Sequence, residues 1–184
     1  ANATESKNIM APPHVATEAA IIKTGIPYSF LRNNWYLENE IGSIQGAMAG
    51  APWVTSAGEG KVGWALQQDY ADAAAAVLVG SGHENTVYEL SGPLLTQEEL
   101  ASALGNVLGK EVPVQQVSYE KYAEIMKGLG LPDFVIPIVV GIQESIRNGS
   151  LEVESNDFKK ILGRPVAPIN ESLTQLVNAI SQTK

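Results

Sequence analysis

Apolar and polar positions alternate along the first half of the chain in a way that predicts helices and strands in turn. Spacings of three and four residues indicate amphipathic helices, and short runs rich in β-branched and aromatic residues indicate strands. Alternating helices and strands favour a mostly parallel sheet covered by helices. After a polar loop over 1–12, the predicted elements are a helix from Pro12-Pro13 to Gly25, a strand over 28–32, a helix over 37–49, two strands at 53–55 and 62–66, a helix from Asp69 and a strand over 86–90.

The pattern becomes mainly helical after Gly92-Pro93. Thr96 and Glu99 have the spacing of a capping box at the start of a helix. The elements predicted here are a helix from Thr96 to Gly109, a strand over 112–117, a helix from Ser118, a helix from Asp133 that buries Phe134, Ile138 and Ile142, a short helix capped by Asn156 and a last helix over about 171–181. Since no low-complexity linker divides the chain, residues 1–95 and 96–184 are predicted to pack as one unit.

Composition and charge narrow the class of partner. The 184 residues are 45% hydrophobic and 17% charged, with a net charge of −8. Such an acidic chain is a poor partner for nucleic acid or anionic membrane surfaces, because both repel it. The chain has no cysteine, which removes disulfides and thiolate chemistry. No apolar run approaches the ~20 residues of a membrane span. These features fit a cytoplasmic protein.

One glycine-rich segment, Gly58 to Gly63, matches the letters G-x-G-x-x-G. A dinucleotide fingerprint needs a strand before it and a helix at its end, so that backbone N–H groups meet the pyrophosphate. Residues 62–66 read instead as a strand. We therefore interpret the segment as the turn of a hairpin between the strands at 53–55 and 62–66. The chain then has no phosphate cradle of its own.

A polar helix face carries the first candidate for catalysis. His14, Thr17 and Glu18 stand at positions i, i+3 and i+4, so they share one face of the predicted first helix. Such a face could hold a proton donor and groups that orient a substrate. The alternative is a solvated face opposite an apolar stripe of Val15, Ala19 and Ile22. No third ligand of matching type stands nearby, so we predict no metal site.

The strand at 28–32 ends in the run Asn33-Asn34-Trp35-Tyr36. Open α/β sheets bind ligands at the carboxyl ends of their strands, where amides can hold a carboxamide or ribose and aromatic rings can wall a flat ligand. The alternative is turn formation by the two amides and core packing by the two rings. Phe134 could border a pocket as well, although packing between helices is the default for it.

Several segments together resemble one family. They are HVATEAAIIKTGIPYSFLRNNWYLEN, SAGEGKVGWALQQDYADAAAAVL, HENTVYELSGP, LTQEELASAL and DFKKILGRPVAPINESL, in that order. Their order and spacing resemble the NmrA-like branch of the atypical short-chain dehydrogenase/reductases, and within it the NAD(P)H:quinone oxidoreductase type.

The resemblance implies an α/β fold, namely the C-terminal part of a Rossmann-like parallel sheet with a small, mainly helical C-terminal lobe. Residues 1–95 would be the C-terminal half of an NAD(P)-binding domain, and residues 96–184 the lobe that covers the substrate cleft. The half that carries the glycine-rich turn for the pyrophosphate has no counterpart in these residues. NADP(H) is the implied cofactor, and we expect this chain alone to bind it weakly or not at all.

Site residues carry over from the resemblance one by one. His14 and Glu18 stand where related dehydrogenases have the Tyr and Lys of a Y-x-x-x-K pair, so His14 becomes the candidate proton donor. Leu31, Asn33 and Tyr36 match the strand end beside the nicotinamide and are the expected cofactor contacts. The expected substrate contacts are Asn34, Trp35, Tyr36 and Phe134.

The function implied is reduction of a quinone-like acceptor by NADPH through hydride transfer. Loss of the Tyr-Lys pair fits such an acceptor, because the ring of a quinol anion already stabilises its charge. A second hypothesis is a non-catalytic NADP(H)-sensing regulator, which the same loss favours. The expected partners are a small quinone-like molecule and, as a candidate assembly, a second copy in a homodimer.

Overall fold

The computed structural model describes residues 1–4, 6 and 10–182. In these residues helices and strands alternate up to residue 96 and helices dominate afterwards. The strands are β1 (Ser29–Asn33), β2 (Trp35–Tyr36), β3 (Trp53–Thr55), β4 (Lys61–Ala65), β5 (Thr86–Leu90), β6 (Leu94–Thr96) and β7 (Val114–Gln116). The helices are α1 (Ala11–Lys23), a 3₁₀ helix (Leu37–Glu40), α2 (Ile41–Met48), α3 (Gln67–Val79), α4 (Gln97–Leu108), α5 (Tyr119–Gly128), α6 (Ile136–Arg147), α7 (Asp157–Leu162) and α8 (Ile169–Gln182).

Parallel pairing dominates the strands, as the alternation of elements predicted. β1 pairs with β5, β2 with β4, and β3 with β7, all in parallel, while β6 pairs with β4 antiparallel. The predicted hairpin between β3 and β4 is wrong: β3 pairs with β7 instead. Local spacing could not reveal this, because the partner of β3 lies some sixty residues further along the chain.

The glycines of the G-x-G-x-x-G segment serve close backbone packing. Gly58 has a left-handed φ of 58°, which turns the chain. A Cβ on Gly60 would overlap the carbonyl of Ile146 in α6, and a Cβ on Gly63 would overlap Ser91 Oγ. β4 follows directly, as the sequence predicted, so the segment lacks the helix N-terminus that a pyrophosphate site requires.

The main core joins both halves of the chain. Leu37, Trp53 and Trp64 pack in one cluster with Leu104 of α4 and Leu173 of α8, each at most 1% exposed. A second, smaller cluster around Tyr70 and Phe158 joins α3 to α7. Helices from the second half therefore cover apolar faces that the first half supplies.

Two predicted apolar faces are not buried. The helix expected from Asp133 begins at Ile136, where a proline occupies the first turn, and Asp133 forms a surface ion pair with Lys127. Phe134 is 77% exposed and Ile138 is 40% exposed, so the prediction that this helix buries them is wrong, whereas Ile142 packs against the main core. In α1 the only buried residue is Ala11, so its predicted apolar stripe is not buried either.

Helix starts with polar caps were predicted more accurately. Thr96 Oγ1 accepts the backbone N–H of Glu99, whose carboxylate accepts the N–H of Thr96, which confirms the capping box. Ser118 caps α5 by accepting the N–H of Lys121. Asn156 stands at the start of α7 as predicted, but its side chain makes no capping hydrogen bond. Local polar signals thus fixed the ends of helices better than apolar periodicity fixed their buried faces.

Over the described residues, no helix combines the length and apolar character that crossing a membrane would require.

Candidate functional site

A cavity of about 350 Å³ lies where β1 ends and the chain passes into β2. Helix α1 forms one wall and the strand end forms the floor. The 3₁₀ helix, the segment after α6 and N-terminal residues that include Ala1, Ala3 and Met10 form the rest of the lining. Six of the seven predicted site residues line this cavity: His14, Leu31, Asn33, Asn34, Trp35 and Tyr36. The roles assigned to them remain predictions, but the fold brings them to one place.

Phe134 stands apart from the other six. It does not line the cavity, and its side chain is largely exposed near the start of α6. Its exposure contradicts packing between helices, whereas the expected contact of Phe134 with substrate stays a prediction.

An ion triad ties α1 to the strands beside the cavity. Arg32 donates to both carboxylate oxygens of Glu18, from Nε at 2.8 Å and from a terminal nitrogen at 2.6 Å. Its other terminal nitrogen donates to Glu89 of β5 at 2.8 Å. These side chains are only 13–23% exposed, so the pairs are stronger than ordinary surface ion pairs. The Arg32 guanidinium lowers the pKa of the Glu18 carboxyl, which therefore stays ionised and hydrogen-bonded to Arg32.

This triad changes the interpretation of the polar face of α1. Glu18 is committed to Arg32, and the Thr17 hydroxyl donates within the helix to the carbonyl of Pro13. His14 is exposed and lines the cavity one turn before Glu18. Of the three residues on this face, His14 is left as the group that could exchange a proton with a ligand in the cavity.

The two amides of the strand end have different environments. Asn33 Nδ2 donates to the hydroxyl of Tyr36 at 2.9 Å, so both side chains are held at the cavity. Asn34 is buried, and its Nδ2 donates to Ser91 Oγ at 2.9 Å and to the carbonyl of Leu151 at 3.0 Å. Its Oδ1 has no hydrogen-bond partner among the described residues. Asn34 therefore joins the strand end to Ser91 and to the segment after α6, and its side chain helps to hold the floor of the cavity in place.

The two tryptophans next to the cavity share one acceptor. Trp35 and Trp64 are register partners in β2 and β4, so their side chains leave the same face of the ladder. Their indole Nε1 atoms donate to the same carboxylate oxygen, Glu40 Oε1, at 3.2 and 3.1 Å. Burial raises the pKa of the Glu40 carboxyl, while the two indole N–H groups act against that rise.

Sequence reasoning missed Arg32, Asn39 and Leu151, all of which line the cavity, and it missed Glu40 behind it. A charged residue inside a short strand next to buried positions was a usable signal for Arg32. Asn39 stands three residues after Tyr36, a spacing that places both on one side of a helical turn. Leu151 lies over a hundred residues away, and no local pattern connects it to the strand end.

The arrangement combines a flat aromatic wall, amide groups and one imidazole at the end of a parallel strand. These features suit a planar ligand with hydrogen-bonding oxygens. Across residues 1–4, 6 and 10–182, no three His, Asp or Glu side chains gather closely enough to hold a metal ion.

No family model matches the chain. The chain is nevertheless similar to individual proteins of known sequence and structure. The chain is 36% identical to quinone oxidoreductase 2 of Escherichia coli K12 over 170 residues, which are 92% of this chain and 59% of that protein. It is 26% identical to the NAD(P)H azoreductase of Xenophilus azovorans, over 81% of this chain and 52% of that protein. It superposes with a TM-score of 0.89 on Citrobacter sp. triphenylmethane reductase complexed with NADP(H), at 36% identity, covering 96% of this chain and 62% of that one.

The fold and these likenesses define a class: an α/β protein with Rossmann-like, NADP(H)-binding oxidoreductases as its structural neighbours. Within that class the chain fits the NmrA-like branch of the atypical short-chain dehydrogenase/reductases, as its sequence segments indicated. The chain spans between half and two thirds of the length of the relatives described above.

Proposed function

We propose that the whole protein reduces a quinone-like acceptor with NADPH and that this chain supplies the acceptor side of the site. The observation that carries the proposal is the cavity at the end of β1, where His14, Asn34 and Trp35 meet. The names of the relatives support the same chemistry, since they include a quinone oxidoreductase and an azoreductase, both of which imply planar conjugated acceptors.

The cofactor fits this chain only in part. Leu31, Asn33 and Tyr36 line the cavity and would border the nicotinamide, where Asn33 and Tyr36 offer polar groups for its carboxamide or ribose. The glycine-rich segment leads into β4 instead of a helix, so it offers no pyrophosphate cradle. We therefore expect weak or absent NADP(H) binding by these 184 residues alone. When bound in the whole protein, NADPH would supply the hydride.

The chain's own residues orient the acceptor and manage the proton. Trp35 offers an aromatic wall for a flat ring, and Asn34 lines the cavity beside it. His14 delivers the proton to the acceptor oxygen as the quinol forms. Arg32 takes no part in proton transfer, because Glu18 and Glu89 occupy its donors and its charge is permanent. We further propose that the protein works in the cytoplasm and forms a homodimer.

An NADP(H)-sensing regulator without turnover is the second candidate. The observation that favours it is the pairing of Glu18 with Arg32, because the position that would hold a catalytic lysine is occupied by a committed carboxylate. A sensor would bind the dinucleotide and pass on its redox state without an acceptor.

NADPH oxidation by the whole protein, with menadione as acceptor, separates the two candidates. Steady turnover supports the enzyme, whereas dinucleotide binding without turnover removes the enzyme hypothesis. The variant His14→Ala should lower kcat, and Thr17→Ala is its matched control because the Thr17 hydroxyl bonds within α1 and does not line the cavity. Undiminished turnover in His14→Ala would remove His14 from the mechanism.

Calorimetric titration of the 184-residue chain with NADPH tests the partial fit of the cofactor. We expect no measurable heat of binding at micromolar protein. Tight binding would contradict the assignment of the pyrophosphate site to another part of the protein.

A further inference from the structure

Glu40 has an arrangement that core packing alone does not explain. The main core around it is apolar, and its cluster contains Leu37, Ile44 and Trp64. A carboxylate at such a position must give up hydration, which is costly unless a partner compensates. In the part of the chain that the structure describes, no Lys, Arg or His forms an ion pair with Glu40; its acceptor Oε1 instead takes two indole N–H groups.

The two indoles differ in where they lead. Trp64 is 1% exposed and is fixed within the core. Trp35 is half-buried, packs against the same core and also lines the cavity. β2 contains only two residues, so its backbone pairing gives Trp35 little restraint. Because Glu40 Oε1 accepts hydrogen bonds from both rings, Glu40 connects the weakly restrained indole of Trp35 at the cavity to the fixed indole of Trp64 in the core.

Groups on neighbouring elements complete the surroundings of Glu40. Tyr122 of α5 faces its carboxylate, and burial together with that negative charge raises the pKa of Tyr122 to about 12. Tyr122 in turn hydrogen-bonds Gln143 of α6, whose Oε1 accepts from the hydroxyl of Thr55. The carboxylate is therefore enclosed from the side of the C-terminal helices as well.

We propose that Glu40 is a positioning residue, which fixes the indole plane of Trp35 at the cavity and thereby sets the affinity for planar acceptors. Glu40 touches neither acceptor nor cofactor and acts only through Trp35. The proposal deepens the proposed function and rests on it for the nature of the acceptor. The restraint on Trp35 itself is independent of turnover and can be measured on the ligand-free protein.

Three substitutions separate the hydrogen bond from the charge. Glu40→Gln keeps an oxygen acceptor at the same reach and should leave Trp35 in place. Glu40→Leu removes the acceptor at similar volume, and Glu40→Asp keeps the charge but withdraws the oxygens by one methylene. If the hydrogen bond positions Trp35, Gln behaves like the wild type while Leu and Asp do not. If the charge were what matters, Asp would behave like the wild type and Gln would not, and the proposal would be overturned.

The first readout is acrylamide quenching of tryptophan fluorescence in the whole protein without ligand. Of the three tryptophans in these 184 residues, Trp53 and Trp64 are each 1% exposed, so the difference in quenching between a Glu40 variant and the wild type reports mainly on Trp35. Quenching should increase in Glu40→Leu and Glu40→Asp and stay at the wild-type value in Glu40→Gln. Unchanged quenching in Leu and Asp would overturn the proposal, whatever the turnover. Circular dichroism shows whether each variant has folded. If either Glu40→Leu or Glu40→Asp does not fold, the quenching of the other variant decides the test.

The second readout is steady-state kinetics with menadione. Loss of the hydrogen bond between Glu40 and Trp35, in Glu40→Leu or Glu40→Asp, should raise KM for menadione about three- to tenfold, while KM for NADPH stays unchanged. In a Trp35→Phe background, which lacks the indole N–H, Glu40→Leu should add nothing further. A raised KM for menadione that persists in that background would overturn action through Trp35. If quenching changes in Glu40→Leu and Glu40→Asp, but neither the wild type nor any variant turns over menadione, the proposed function is refuted and the positioning of Trp35 by Glu40 is still supported.

Discussion

Gly63→Ala tests whether the glycine-rich segment exists for close packing. A Cβ at Gly63 would overlap Ser91 Oγ and would lie 2.8 Å from the carbonyl oxygen of Gly92 and 2.9 Å from Asn34 Nδ2. Ser91 can rotate away, but then it loses its hydrogen bond from Asn34, while the Gly92 carbonyl belongs to the backbone. Overpacking costs about 1–3 kcal/mol and the lost hydrogen bond about 1 kcal/mol, so we expect a total loss of about 2–4 kcal/mol.

Urea unfolding followed by circular dichroism measures this loss as a lower midpoint with an unchanged slope. Gly42→Ala is the matched control, because nothing lies within 4 Å of a Cβ there and alanine favours the helix by up to about 1 kcal/mol. Adding Ser91→Ala should recover part of the loss in Gly63→Ala, since it removes the overlapping oxygen but not the backbone carbonyl. A midpoint for Gly63→Ala within error of the wild type would refute the packing explanation of this segment.

Two further predictions concern the partly buried charges. Arg32→Met removes the guanidinium that pairs with Glu18 and Glu89, whose side chains are 14% and 23% exposed, so it should lower the free energy of unfolding by about 2–4 kcal/mol, somewhat less than for a fully buried pair. Because Arg32 lowers the pKa of Glu18, this deficit should shrink as the pH falls below about 4, whereas a constant deficit across a pH series of urea melts would contradict the ion-pair explanation. For Glu40, burial raises the carboxyl pKa in the folded state, so ionisation costs stability as the pH rises through that pKa. Glu40→Gln cannot ionise and should gain thermal stability over the wild type at pH 8 but not at pH 4; equal differences at both values would count against a buried, ionised Glu40.

The strand end shows how far sequence reasoning reached. A polar and aromatic run directly after a short strand predicted that Asn33, Asn34, Trp35 and Tyr36 would share a site, and all four line the cavity. This worked because the chain itself keeps neighbours together at the end of a strand. The prediction that Phe134 is buried between helices failed because its neighbours in space depend on how two helices meet, which periodicity does not encode.

Strand pairing shows the same limit on a larger scale. Residues 53–55 and 62–66 were correctly read as strands, but their mutual pairing was not, since β3 finds its partner in β7. Likewise the capping box at Thr96 was readable because its four residues are consecutive. The sharing of Glu40 by Trp35 and Trp64 was not readable, because it requires the register of β2 against β4. The types of the elements could be predicted from the sequence, whereas the contacts between distant segments could not.

The shared core has a consequence for anyone who recombines this protein with its relatives. Leu104 and Leu173 from the second half pack directly on Leu37, Trp53 and Trp64 from the first. A crossover at residue 95, where the sequence changes character, would divide this apolar cluster between two parents. Chimeras made there would bring side chains of different volume together at the centre of this cluster. The interior stays intact if all residues of this apolar cluster are exchanged together, or if only single residues around the cavity are exchanged.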